Sequence, residues 1–121
     1  MHELGLCADV VAAVERRAGE RPVAACTVRV GRLHHVHPGA FDQSFEMAAL
    51  GTVADGATVH LVLLPVRMHC TGCELETESD GLLSACPQCG ATELQLLGGD
   101  ELVLESIEYR STSASSAAGA G

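Results

Sequence analysis

Two cysteine pairs constrain this chain more than anything else in it. They are Cys70-Thr71-Gly72-Cys73 and Cys86-Pro87-Gln88-Cys89-Gly90, with twelve residues between them. A Cys-x-x-Cys turn folds tightly enough for both sulfurs to face one point. Two such knuckles supply four thiolates, the tetrahedral set that zinc accepts with no open position. Gly72 and Gly90 are expected to permit the turns, and Pro87 to stiffen the second. The stretch between the knuckles has only Leu75, Leu82 and Leu83 as sizeable apolar residues. It has no core of its own, so a metal must hold it, with about 10–16 kcal/mol of binding energy available. Cys70, Cys73, Cys86 and Cys89 are therefore read as a structural zinc site. Iron in the same four sulfurs is the chemical alternative.

The rest of the chain must supply the core. It has 121 residues, of which 47% are hydrophobic, and its aromatics are limited to Phe41, Phe45 and Tyr109. That core is necessarily aliphatic. Leu4, Cys7, Val11, Val14 and Ala18 recur at helical spacing, which predicts a helix over 4–18. Cys26, Val28 and Val30 alternate with Thr27 and Arg29 in a strand over 23–31. A histidine-rich loop follows, with His34, His35 and His37 read as solvated. Pro38 suits the first turn of a second helix, whose inner face carries Phe41, Phe45, Ala48 and Ala49. The near-continuous apolar run over 57–66 predicts a central strand or one buried on both faces. A last strand is expected over 101–110, and the Ser/Ala/Gly-rich segment 111–121 reads as a disordered tail. The expected fold is α+β: a small three-stranded sheet with two helices and an inserted four-cysteine subdomain resembling a zinc ribbon. Its units are 1–66 with 98–110, and the insert 67–97.

Charge narrows the function classes. The net charge is −9, with only seven Lys and Arg residues. Nucleic-acid binding rests on cations that neutralise phosphates, and single-strand binding adds aromatic platforms; both are scarce here. No basic start leads into an apolar run, and no stretch approaches membrane-spanning length. The expectation is a cytoplasmic chain with reduced thiols, where Cys7 and Cys26 are core residues. No Gly-x-Ser-x-Gly, His-Glu-x-x-His or phosphate loop occurs, so an enzyme is not expected and nucleotide hydrolysis would come from a partner. Strand edges and the insert permit exchange between copies, which makes a homodimer an expectation.

The N-terminus offers a second metal site. A free terminal amine on Met1, the deprotonated amide of His2 and its imidazole can chelate one cation through fused rings. Glu3 or further backbone nitrogen can complete the set. Square-planar nitrogen coordination suits nickel(II) or copper(II).

These features come in a particular order. Met1-His2-Glu3-Leu4 opens the chain; Phe45-Glu46-Met47 precedes Gly51-Thr52; the second knuckle runs Cys86 to Gly90; Gly98-Gly99-Asp100-Glu101-Leu102 leads to Ile107-Glu108. Over about residues 1–110 this pattern resembles the hydrogenase maturation factors of the HypA/HybF family. The resemblance implies a nickel metallochaperone that helps insert nickel into the large subunit of [NiFe] hydrogenase, alongside a GTPase partner. It implies nickel on His2 with Met1 and Glu3, and structural zinc on the four cysteines. Relatives often carry an acidic side chain before the second helix. A gap-free reading from Gly31 puts His37 there, and its imidazole would substitute. A rubredoxin-like iron carrier and a zinc-ribbon interaction module are the alternative functions.

Overall fold

The computed structural model describes residues 2–111. Met1, one of the expected nickel ligands, lies outside the described residues, as does the tail expected over 111–121 except for Ser111. Helix α1 spans His2–Ala18, strand β1 Val23–Gly31, helix α2 Pro38–Ala49 and strand β2 Thr58–Leu64. Strands β3 (Val66–Cys70), β4 (Glu76–Ser79) and β5 (Leu94–Gly98) follow, and β6 (Leu102–Tyr109) ends the order. A 3-10 turn, Arg32–His34, lies between β1 and α2.

Two three-stranded sheets result, in the orders β2-β1-β6 and β4-β3-β5. In the first sheet β1 runs parallel to β2 and antiparallel to β6. The core lies between this sheet and the helices. Cys7, Val10, Val11 and Val14 of α1 meet Val23, Cys26, Val28 and Val30 of β1 and Phe41 and Phe45 of α2. The alternation read in β1 and the helical periodicities are thus realised. Among the described residues, no helix is long and apolar enough to cross a membrane.

The apolar run over 57–66 behaves differently from expectation. It is an edge strand, and β1 is the central one. Val59, Leu61 and Leu63 are half-buried, while Thr58, His60 and Val62 are exposed. Only one face of β2 meets the core, so apolar residues on the other face are left at the surface. The run is also not one strand. Pro65 has no N–H for a ladder, and the chain changes sheets there: β2 ends at Leu64 and β3 begins at Val66.

The cysteine insert has more structure than its spacing announced. Strand β3 pairs antiparallel with both β4 and β5. Val66 and Met68 face inward, and both are buried. Chain segment 99–101 returns from this second sheet to the first, and it lies hard against the end of β1. Gly31 donates its N–H to Glu101 O at 2.8 Å, and Leu33 donates to Gly99 O at 2.8 Å. A side chain at Gly31 would overlap the Gly99 carbonyl, so the two segments meet backbone to backbone.

Candidate metal centres

The knuckles close by the same pattern. Cys70 N–H donates to Leu75 O at 2.9 Å and Glu74 N–H returns to Cys70 O at 2.8 Å. Cys86 N–H donates to Ala91 O at 2.7 Å and Gly90 N–H returns to Cys86 O at 2.9 Å. The residue after each pair turns left-handed: φ is 64° at Glu74 and 80° at Gly90. This corrects one expectation. Gly90 does serve the turn, but in the first knuckle the left-handed residue is Glu74, not Gly72. A Cβ on Gly72 would meet Cys70 Sγ, Cys89 Sγ and Ala91 Cβ only at ordinary contact distances of 3.6–3.7 Å.

The four sulfurs converge. Cys70 and Cys89 are 3.6 Å apart, as are Cys73 and Cys86, and all four lie within 4.8 Å of one another. A disulfide needs ~2.05 Å, so these are separate thiols. Four Zn–S bonds of ~2.3 Å put tetrahedral sulfurs roughly 3.8 Å apart. The geometry therefore fits zinc, closed and with no vacancy for a substrate.

Backbone dipoles prepare the thiolates. The N–H groups of Cys89 and Gln88 pull Cys86 down to about 6, and Gln88 N–H lies 3.4 Å from its sulfur. The N–H groups of Cys73 and Gly72 lower Cys70. Cys73 goes the other way, to about 12: Leu75 N–H favours its thiolate, but burial and the three neighbouring sulfurs outweigh that. A divalent cation reverses such mutual repulsion, because it stabilises every thiolate at once. The remaining cysteines differ in kind. Desolvation raises Cys7 to about 12 and Cys26 to about 11, and both are buried core residues. They stay protonated at neutral pH.

The second candidate site sits where α1 begins. Among the described residues it brings together the pair His2 and Glu3, while only the four cysteines form a group of three or more ligands. Glu3 is buried, and its Oε2 accepts the His37 N–H at 3.3 Å. This ties the start of α1 to the start of α2. Backbone donors, its own N–H and that of His37, hold the Glu3 carboxyl below its ordinary range. The carboxylate is favoured by folding, so the tie is present at neutral pH and is lost as acid protonates Glu3.

His2 stands beside it, half-exposed, with Nδ1 3.4 Å from Glu3 Oε1 and Nε2 2.8 Å from the His34 carbonyl. A carbonyl only accepts, so Nε2 must carry the proton. In the neutral ring Nδ1 is then a lone pair facing a carboxylate oxygen. Something positive belongs between them, a proton or a metal ion. Metal bonds of ~2.0–2.2 Å place neighbouring donors roughly 3 Å apart or slightly more, which is close to the separation seen.

His37 has a different employment. Its Nδ1 accepts the Ala40 N–H at 3.3 Å, capping α2. The neutral ring's proton then sits on Nε2. A metal could bind His37 only at the expense of that cap, either at Nδ1 directly or at Nε2 after its proton moved to Nδ1.

Sequence reasoning missed His34. It is half-buried, and its Nε2 lies 2.9 Å from the Asp100 carbonyl. No local signal marks it, since its partners are 32 and 66 residues away. His35, also in that loop, is exposed and left-handed at φ 53°.

Comparison with known proteins agrees with this anatomy. Residues 1–109 match the family described as hydrogenase/urease nickel incorporation, metallochaperone, HypA. Hydrogenase maturation factor HypA 2 of Bradyrhizobium diazoefficiens is 35% identical over 111 residues, covering 89% of this chain and 98% of its own. The HypA factor of Geobacter metallireducens is 35% identical over 108 residues, with the same coverage of 89% and 98%. The solution structure of the nickel metallochaperone HypA from Helicobacter pylori shares the fold, with a TM-score of 0.63 at 21% identity over 88% of this chain and 96% of that one. A second HypA solution structure superposes with a TM-score of 0.61 at 20% identity, over 91% and 97%. The chain thus belongs to the HypA family of nickel-incorporation metallochaperones for hydrogenase maturation.

Proposed function

We propose that this chain carries nickel to the large subunit of [NiFe] hydrogenase, together with a maturation GTPase, and catalyses no reaction itself. Nickel is cargo, held by His2, Glu3 and the amine and backbone of Met1 in a chain that begins at Met1. His37 joins that set only at the expense of its helix cap. Zinc is resident, held by Cys70, Cys73, Cys86 and Cys89. Residues 1–66 with 98–110 form the nickel unit and 67–97 the zinc unit. The GTPase supplies the nucleotide chemistry that this chain has no phosphate loop to perform. We place the process in the cytoplasm, and the free edges of β2 and β6 are where two copies would exchange or pair.

One observation carries this reading: Nδ1 of His2 and Oε1 of Glu3 face each other at 3.4 Å, with the proton of His2 committed to the other side of the ring. Membership of a nickel-incorporation family supports nickel as the cation. The iron-carrier and zinc-ribbon alternatives leave that arrangement without a purpose.

The test is genetic and chemical together. A [NiFe]-hydrogenase-producing host that lacks its own HypA is expected to accumulate large subunit without nickel. This chain restores nickel to the subunit, and His2→Ala does not. Restoration by His2→Ala equal to that by the unaltered chain contradicts the reading.

A further inference from the structure

The geometry points to His34 as a positioning residue for nickel: its carbonyl fixes the tautomer of His2, and its own ring, anchored on Asp100, holds that carbonyl in place. This rests on the reading of His2 as a nickel ligand, and adds a residue that never touches the metal.

The His34 carbonyl accepts from His2 Nε2 at 2.8 Å. It thereby turns the lone pair of Nδ1 toward Glu3. Partners that hold the far nitrogen of a ligating histidine set its tautomer and orientation, and losing them typically costs 10–100-fold in metal affinity.

That carbonyl is not in a relaxed position. The peptide joining His34 to His35 is oriented by the torsions on either side of it, and His35 lies left-handed at φ 53°. A residue with a Cβ occupies that region only at a steric cost. Rotating the one peptide would take His35 to negative φ and swing the His34 carbonyl away from His2. One bond opposes that rotation directly, and two more fix the His34 backbone on which the carbonyl sits. His35 N–H donates to Arg32 O at 3.0 Å, and Leu33 N–H donates to Gly99 O at 2.8 Å. The third is the His34 ring itself, whose Nε2 lies 2.9 Å from the Asp100 carbonyl and so must donate. Asp100 cannot drift. Glu101 Oε1 accepts the neighbouring Gly99 N–H at 2.8 Å, and Gly99 presses against Val66, leaving no room for a Cβ. The His34 ring is thus a strut from the return segment of the second sheet to the nickel site.

The experiment uses the untagged full chain with zinc bound, titrated with nickel by calorimetry. His34→Ala is expected to weaken nickel about tenfold and to leave zinc content unchanged. In the nickel-free protein, above the titration range of imidazole, the two ring-nitrogen shifts of His2 should lie at the Nε2–H limits and become averaged in His34→Ala. His34→Gln, whose amide can reach the Asp100 carbonyl, should recover both properties. Nickel affinity in His34→Ala equal to the parent's, or weakened affinity with His2 shifts unchanged, overturns the inference. His2→Ala separates the two levels. If it binds nickel as the parent does, the nickel-site reading itself fails; if it loses nickel while His34→Ala keeps it, only the role of His34 falls.

Discussion

Stripping the metal from the four cysteines, by chelation or by Cys86→Ser, should melt the second sheet while the first survives. Strands β3, β4 and β5 are five, four and five residues long, and a sheet that small is marginal in water without a substantial apolar face. Its buried apolar residues are Val66 and Met68 with Cys70 and Cys86, while Leu82, Leu96 and Leu97 are exposed. The Thr77 hydroxyl is buried there with no hydrogen-bond partner, which subtracts further stability. Against that, four-thiolate zinc supplies on the order of 10 kcal/mol or more. The first sheet has its own core, including the fully buried Phe41 and Phe45. Amide exchange followed by mass spectrometry reads both at once. Protection over 66–98 should collapse to that of an unfolded segment, and protection in β1 should stay. Unchanged protection over 66–98 in protein verified as metal-free would show that packing alone holds the insert.

The second large effect is at the other end. A short extension ahead of Met1, or acetylation of its amine, should weaken nickel by roughly 100-fold or more, about 2.8 kcal/mol. Either change removes the amine from the proposed chelate, while His2 and Glu3 remain. The fold should not respond. Helix α1 is anchored through Glu3 on His37 N–H and through Cys7, Val10, Val11 and Val14 in the core, none of which an extension displaces. Nickel titration of the extended and untagged chains, with zinc content as the control, decides it. Equal affinities would place nickel elsewhere.

Much of this anatomy is legible in the amino-acid sequence. Helix α1 and strand β1 announce themselves because their apolar residues recur at one period and bury one face. The knuckles are legible because metal chemistry dictates the spacing. The features that escape sequence reasoning do so for physical causes. The run in β2 is apolar on both faces, and composition does not say which strand sits in the middle. Glycine tolerates left-handed backbone, which makes Gly72 the natural choice for the turn, yet Glu74 takes that conformation, at φ 64°. The strands of the insert are only four or five residues long, so the alternation of Val66, Met68 and Cys70 in β3 is too brief to stand out from the apolar run before it. His34 acts through a main-chain carbonyl and a main-chain partner, and such contacts leave no side-chain signature. His37 enters the expected nickel set by register alone, and its cap on Ala40 N–H exists only once α2 is built.

The separation of cargo from scaffold is tested most directly by X-ray absorption at two edges of one sample: untagged protein loaded with zinc and then with one equivalent of nickel. Around nickel the expected neighbours are nitrogen and oxygen only, with the outer-shell scattering of an imidazole that disappears in His2→Ala. Around zinc the expected shell is four sulfurs at ~2.3 Å, before and after nickel. Sulfur in the nickel shell would mean that the cysteines take the cargo, and would contradict the assignment of nickel to His2.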